Sequence, residues 1–165
     1  MIVAFRLNSL LISTNPYPTS ETMRPVFIVD DSADYRFLLN HFLGRFLPEG
    51  KIEFFDGARS FLERVAAIDG TAGDEEFPAL IMLDLNMAEM DGYELLQILK
   101  NSGNRMNPKW KDIPVVINSA DYTDSVATKS VELGAMTFLR KSADLTDLYG
   151  LKDFLAAHLQ KYGSD

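Results

Sequence analysis

Ile81-Met82-Leu83-Asp84-Leu85-Asn86-Met87-Ala88-Glu89-Met90-Asp91-Gly92, IMLDLNMAEMDG, opens as a buried strand and then breaks its own pattern with a carboxylate. A short apolar run bounded by a polar turn reads as a strand covered on both faces, and residues 92–100 continue it as a short amphipathic helix. The arrangement recurs along the chain. Val26-Phe27-Ile28-Val29 is a second continuous apolar run, followed by Phe37, Leu38, Leu39, Phe42, Leu43, Phe46 and Leu47 at helical spacing. Ser32 is placed to cap that helix and Pro48-Glu49-Gly50 to end it. Ile52-Glu53-Phe54-Phe55 is a less uniformly apolar strand, expected nearer an edge, with a helix over 58–67. Residues 114–117 form a further strand, 125–133 a helix closed by Gly134, 137–140 the last strand and 148–159 the last helix. The stretches 69–76 and 101–112 are polar loops.

Five βα units with continuous apolar strands predict an α/β fold, a five-stranded parallel sheet doubly wound by helices. With 165 residues and 47% of them apolar, the chain suits one domain with a sizeable core. A net charge of −8 supplies no cationic footprint for a phosphate backbone, which argues against nucleic acid as partner and favours proteins. The absence of cysteine excludes disulfides and thiolate metal sites and fits a cytoplasmic protein. Near the start, Arg6, Asn8 and Ser9 interrupt the apolar pieces, Pro16 and Pro18 break the next stretch, and no segment approaches a membrane span. The expected organisation is a flexible tail over 1–23, with Met23 as a candidate start of translation, one domain over 24–162, and a short tail over 163–165.

Four of the five strands end alike. Asp30 and Asp31 follow the first, Asp84 the third, Asn118 and Ser119 close the fourth, and Lys141 follows the fifth. In an open parallel sheet these ends share one rim, where ligands bind. Three crowded carboxylates call for a hard divalent cation, and Mg²⁺ suits an all-oxygen set that also receives a phosphoryl group. With a lysine and a hydroxyl nearby to hold phosphoryl oxygens and a carboxylate as nucleophile, the chemistry points to an aspartyl phosphate.

At these positions the chain resembles the receiver domains of two-component response regulators, in particular the single-domain, chemotaxis-regulator-like type. VFIVDD resembles the family's acidic pair, LDLNMAEMDG its phosphoacceptor strand and loop, INSAD its hydroxyl switch segment and GAMTFLRK its aromatic-and-lysine strand. The resemblance spans about residues 24–162 and implies strand order 2-1-3-4-5. It implies Asp84 as phosphoacceptor and Asp31 as direct Mg²⁺ ligand, with Asp30 acting through water and Asn86 offering its main-chain carbonyl. Lys141 would pair with Asp84 and then with the phosphoryl group, Ser119 would move onto a phosphoryl oxygen, and Phe138 would turn inward with it. The donor would be a histidine kinase or histidine phosphotransfer protein, and the output protein contacts, including a phosphorylation-dependent dimer. No separate catalytic domain is expected beyond self-dephosphorylation, which Asn86 and Asp121 should make quick by orienting water.

Two departures from the family pattern stand out: Ala88 and Ser142 occupy places where proline is common. A cis bond at Lys141–Ser142 would cost about 3 kcal/mol without an imide. Two rival classes are a phosphorylation-independent receiver-like binding module and an Asp-nucleophile phosphohydrolase, the latter weakened because Asn86 replaces the second carboxylate of a DxD pair. His41 is expected to be structural within the first helix, His158 to lie at the surface or half-buried, and Trp110 to anchor its loop. DLNMAEMDG fails as a calcium loop, because Ala88 and Glu89 stand where a ligand and glycine are required. No phosphate-binding glycine loop or G-x-S-x-G elbow is present.

Overall fold

The computed structural model describes residues 23–71, 73, 76–101 and 106–162. Strands β1 (Val26–Val29), β2 (Ile52–Phe55), β3 (Leu80–Leu83), β4 (Val115–Ser119) and β5 (Thr137–Arg140) alternate with helices α1 (Ala33–Leu43), α2 (Ala58–Asp69), α3 (Gly92–Lys100), the four-residue α4 (Lys109–Asp112), α5 (Asp124–Glu132) and α6 (Leu145–Tyr162). All strand pairings are parallel, in the order β2-β1-β3-β4-β5. The three inner strands are wholly buried, as their continuous apolar runs require, and β2 lies at an edge and is mostly half-buried.

Alternate residues of each inner strand feed two cores. Phe27 and Val29 of β1, Ile81 and Leu83 of β3 and Val115 and Ile117 of β4 pack with α2, α3 and Trp110 on one face. Val26, Ile28, Leu80, Met82 and Val116 pack with α1 and α6 on the other. Met23, expected in the tail, belongs to this second core and is 2% exposed, so the packed domain includes it. The remaining tail, 1–22, the residues 163–165 and parts of both polar loops lie outside the described residues.

The first helix departs most from the expected pattern. Its buried positions are Tyr35, Leu39, Phe42 and Leu43, a stripe that leaves Phe37 74% exposed. His41, expected to be structural, is exposed beside Phe37, their rings stacked 6.5 Å apart. The helix also ends at Leu43 rather than near Pro48: Gly44, a poor helix former, caps it and donates to Asn40 and Phe42. His158 is buried and stacked on Phe154, where a surface or half-buried place was expected. Helix α6 starts three residues earlier than its apolar pattern, with the Asp144 carboxylate accepting from Thr146 N–H.

The second polar loop contains α4, and Trp110 anchors it. Trp110 is 1% exposed, and its indole N–H donates to Asp69 Oδ1 at 2.7 Å while Asp69 Oδ2 accepts from Asn107 N–H. Lys100 adds a second tie, its ammonium donating to the carbonyls of Lys111 and Ile113. No peptide bond among the described residues is cis, so Lys141–Ser142 is trans. No described helix is long and apolar enough to cross a membrane.

Candidate functional site

The carboxyl rim is built from the strand ends outward. Asp30 N–H donates to Phe55 O and Asp84 N–H to Val29 O, so both residues extend the ladder before the chain turns away. Ser32 N–H then donates to Asp30 Oδ1 and Ser32 Oγ accepts from Tyr35 N–H, a cap that starts α1 directly behind the acidic pair. After Asp84 the loop returns at once. Asp91 caps α3, and Gly92 N–H donates to Leu85 O, bringing the helix onto the main chain of Asp84. A side chain at Gly92 would overlap Asp84 O and lie 2.7 Å from Leu85 Cα, which explains glycine at a position whose φ is not in the left-handed region.

Carboxylate oxygens of Asp30, Asp31 and Asp84 lie within 4.8 Å of one another. Asp30 and Asp84 are buried, and Asp31 is exposed, with its Oδ2 accepting from Ala88 N–H at 2.9 Å. Lys141 Nζ lies 2.8 Å from Asp30 Oδ2 and 3.1 Å from Asp84 Oδ2. Lys141 N–H donates to Ser119 O, which joins the fourth and fifth strand ends. The Ser119 hydroxyl is fully buried and accepts from Asn86 Nδ2 and from Asp121 N–H, each at 3.4 Å. Asn86 N–H in turn donates to Asp84 Oδ1. Phe138 is partly buried and meets Tyr122 edge-on at 5.4 Å.

Burial pushes the Asp30 carboxyl above the ordinary range, against the hydrogen bond and charge of Lys141. For Lys141 burial works to lower the pKa, but the hydrogen bonds and charges of Asp30 and Asp84 together outweigh it and hold the ammonium above its ordinary value. One ammonium against three carboxylates leaves an anionic pocket of oxygen donors, one of them open to solvent. That set fits a hard cation such as Mg²⁺ and offers no soft donor to a thiophilic one.

Asp30, Asp31, Asp84, Asn86, Ser119 and Lys141 thus meet at one rim, as the strand ends anticipate, and Phe138 stands within β5, two residues before the strand's last residue, Arg140. Two contributors escape the sequence pattern. The Arg36 guanidinium donates to the main-chain oxygen of Asp30. Tyr35 is buried with Lys141 Nζ 4.7 Å from its ring centroid, and burial pushes its hydroxyl up to about 12. The only sequence signal for Tyr35 is its place three residues after the capping Ser32, in the first turn behind the acidic pair.

The sequence profile of the response regulator receiver domain matches residues 26–151. Response regulator Rcp1 of Synechocystis sp. is 32% identical over 133 residues, which cover 79% of this chain and 84% of that protein. Two-component response regulator ARR5 of Arabidopsis thaliana is 33% identical over 135 residues, covering 79% of this chain and 69% of its own. The DNA-binding transcriptional regulator NtrC of Rhizobium meliloti is 30% identical over 126 residues, and there the chain spans only 22% of the relative. Among solved structures, the Mn(2+)-bound form of Rcp1 aligns with a TM-score of 0.64 at 24% identity, over 81% of this chain and 92% of that one. The phosphorylated cyanobacterial phytochrome response regulator RcpA aligns at 0.58 and 25% identity, over 85% and 94%.

Proposed function

The chain belongs to the response regulator receiver domains of two-component signalling, and on that premise we propose that it accepts a phosphoryl group on Asp84 from a phosphohistidine partner and signals through protein contacts. The observation that carries the proposal is the Asp84 carboxylate, buried yet held 3.1 Å from the Lys141 ammonium, with Asp30 and Asp31 beside it and Ser119 one side chain away through Asn86. An Asp84 oxygen forms the new bond to phosphorus as the bond to the imidazole nitrogen breaks, and the imidazole keeps the electron pair and takes a proton. Asp30, Asp31 and Asp84, with the main-chain carbonyl of Asn86, are the groups that would hold Mg²⁺. Bound there, Mg²⁺ supplies positive charge to the transferring oxygens and offsets the repulsion among the carboxylates.

Lys141 orients Asp84 before the transfer through its 3.1 Å contact and is placed to follow the new phosphoryl charge. Ser119 is already bonded to Asn86 and to the Asp121 main chain, so its hydroxyl exchanges those bonds for a phosphoryl oxygen when it moves. Phe138 of β5 meets Tyr122 from the segment after β4, and Val131 of α5, Met136 just before β5 and Leu145 of α6 are exposed apolar residues of the same α5–β5–α6 stretch of chain. That region is the proposed output surface, and a phosphorylation-dependent dimer is one assembly it suits.

The test is intact mass after incubation with Mg²⁺ and acetyl phosphate, beside Asp84→Asn and a metal-free control. A labile phosphoryl adduct confined to the native protein with Mg²⁺ supports the assignment. Absence of an adduct with both acetyl phosphate and a phosphohistidine donor would overturn it in favour of binding independent of phosphorylation.

A further inference from the structure

The ammonium of Lys141 is enclosed on three sides, and only two of them are carboxylates. The third is the face of Tyr35, 4.7 Å from Nζ to the ring centroid. Tyr35 is itself closely fixed. Its main-chain N–H is bonded to the Ser32 cap, its side chain belongs to the core between the sheet, α1 and α6, and the residue is 9% exposed. Asn118 Nδ2 donates to Leu139 O, and Lys141 N–H to Ser119 O, so the ends of β4 and β5 are tied together. The ring therefore underlies the lysine that follows β5, whose main chain is bonded to Ser119.

We propose that Tyr35 is a positioning residue for phosphoryl uptake, its ring face holding the Lys141 ammonium in line with Asp84 while the charge on Asp84 changes. The inference rests on the receiver reading and adds a residue to it. Lysine carries its charge on a flexible four-carbon stem, and position 142 is serine, so no proline ring stiffens the adjoining main chain. In the resting site the two carboxylates hold the ammonium. As Asp84 oxygen bonds to phosphorus, its negative charge passes to the phosphoryl oxygens, and the attraction from that side shifts outward. The ring's attraction for a cation depends on its quadrupole and is unaffected by that shift. It also closes one side of the ammonium to water, so that the remaining donors aim at the rim.

The discriminating variants are Tyr35→Phe, which keeps the ring, and Tyr35→Leu and Tyr35→Met, which replace it with apolar side chains of lower volume. The measurements are the phosphorylation rate with phosphoramidate at saturating Mg²⁺, Mg²⁺ affinity by calorimetry, the unfolding midpoint, and the proton shifts of the Lys141 ε-methylene. In the native protein and Tyr35→Phe, the aromatic ring should displace the ε-methylene resonances upfield and the rates should agree within about twofold. Without the ring the displacement should vanish and the rate fall roughly five- to thirtyfold, with Mg²⁺ affinity unchanged.

Equal rates in the native protein and whichever of the Leu and Met variants folds would overturn the inference, as would Tyr35→Phe reacting as slowly as they do. Loss of Mg²⁺ affinity in proportion to rate would also overturn it, since the ring would then be supporting the acidic cluster rather than the lysine. A native protein that takes up no phosphoryl group from any donor would overturn the receiver reading instead, and the ε-methylene shifts would still report whether the ring holds the ammonium.

Discussion

Gly92→Ala isolates the cost of bringing α3 down onto the main chain of Asp84. The added methyl would overlap Asp84 O, lie 2.7 Å from Leu85 Cα and stand 3.0 Å from the Asp84 carbonyl carbon. None of these neighbours is a flexible side chain that can swing aside. Leu85 is buried, its carbonyl accepts from Gly92 N–H, and Asp84 is pinned to β1 through its own N–H. Overpacking of this kind costs about 3 kcal/mol when rigid atoms must move. Alanine returns up to about 1 kcal/mol through helix propensity and a less entropic unfolded chain. The net loss of about 2–3 kcal/mol should lower the melting temperature by roughly 6–15 °C in a domain of this size. Gly50→Ala is the matching control, because Gly50 has φ +77° and nothing within 4 Å of an added methyl, leaving backbone strain of about 1 kcal/mol. Thermal unfolding followed by circular dichroism makes the comparison, with phosphoryl uptake as the second readout, since relief of the overlap must shift Asp84. A Gly92→Ala protein that melts within about 2 °C of native and takes up phosphoryl groups at the native rate would refute the reasoning.

Tyr35 should also be visible in alkali. Its folded pKa of about 12 exceeds the unfolded value near 10, so its contribution to stability is complete below pH 10 and is lost as pH rises through 12, about 3 kcal/mol in all. Tyr35→Phe should abolish that part of the loss, and parallel pH–stability curves for the two proteins would contradict it. Asp69→Ala removes the acceptor for the buried Trp110 indole N–H, with an expected cost of about 1–3 kcal/mol; urea unfolding read by the single tryptophan tests this, and an unchanged midpoint refutes it. Ala88→Pro deletes the N–H that engages Asp31 Oδ2. With the carboxylate released, calorimetric Mg²⁺ affinity should rise by roughly two- to fivefold, whereas an equal or weaker affinity counts against a competing bond. The aspartyl phosphate proposed at Asp84 is expected to decay within minutes in the native protein and more slowly in Asn86→Lys and Asp121→Tyr; unchanged decay in acid-quenched time courses would remove both side chains from the path of water.

The strands were the most legible part of the molecule, because Val26–Val29 and Leu80–Leu83 are buried on both faces and need no alternation to be recognised. Their ends were legible for the same reason: a carboxylate after such a run marks where the apolar core gives way to a polar rim, even though Asp30 and Asp84 stay buried there. Strand order was not, since βα repetition fits several orders, and it came from the resemblance. In α1 the density of aromatic and leucine residues hid which side faced in; Tyr35, Leu39, Phe42 and Leu43 make the stripe and Phe37 falls off it. Trp110 could be read as an anchor because a lone large aromatic in a polar segment has little else to bury against. The place of Tyr35 beneath Lys141 could not be read, for it depends on how two distant strands carry their ends across the first helix. The missing proline at Ala88 was visible as a departure, while the bond its amide makes to Asp31 exists only in three dimensions.

The tie between Asp69 and Trp110 lies at the opposite rim from the acidic cluster, where α2 ends and the chain approaches the starts of β3 and β4. Both long polar connections meet there, far from every reacting group. Descent can lengthen, shorten or recolour those connections without retuning the chemistry, so long as one acceptor and one indole survive. A protein engineer can use the same separation: the Asp69–Trp110 tie holds α4 and the end of α2 together at the rim of the sheet opposite Asp30, Asp31 and Asp84.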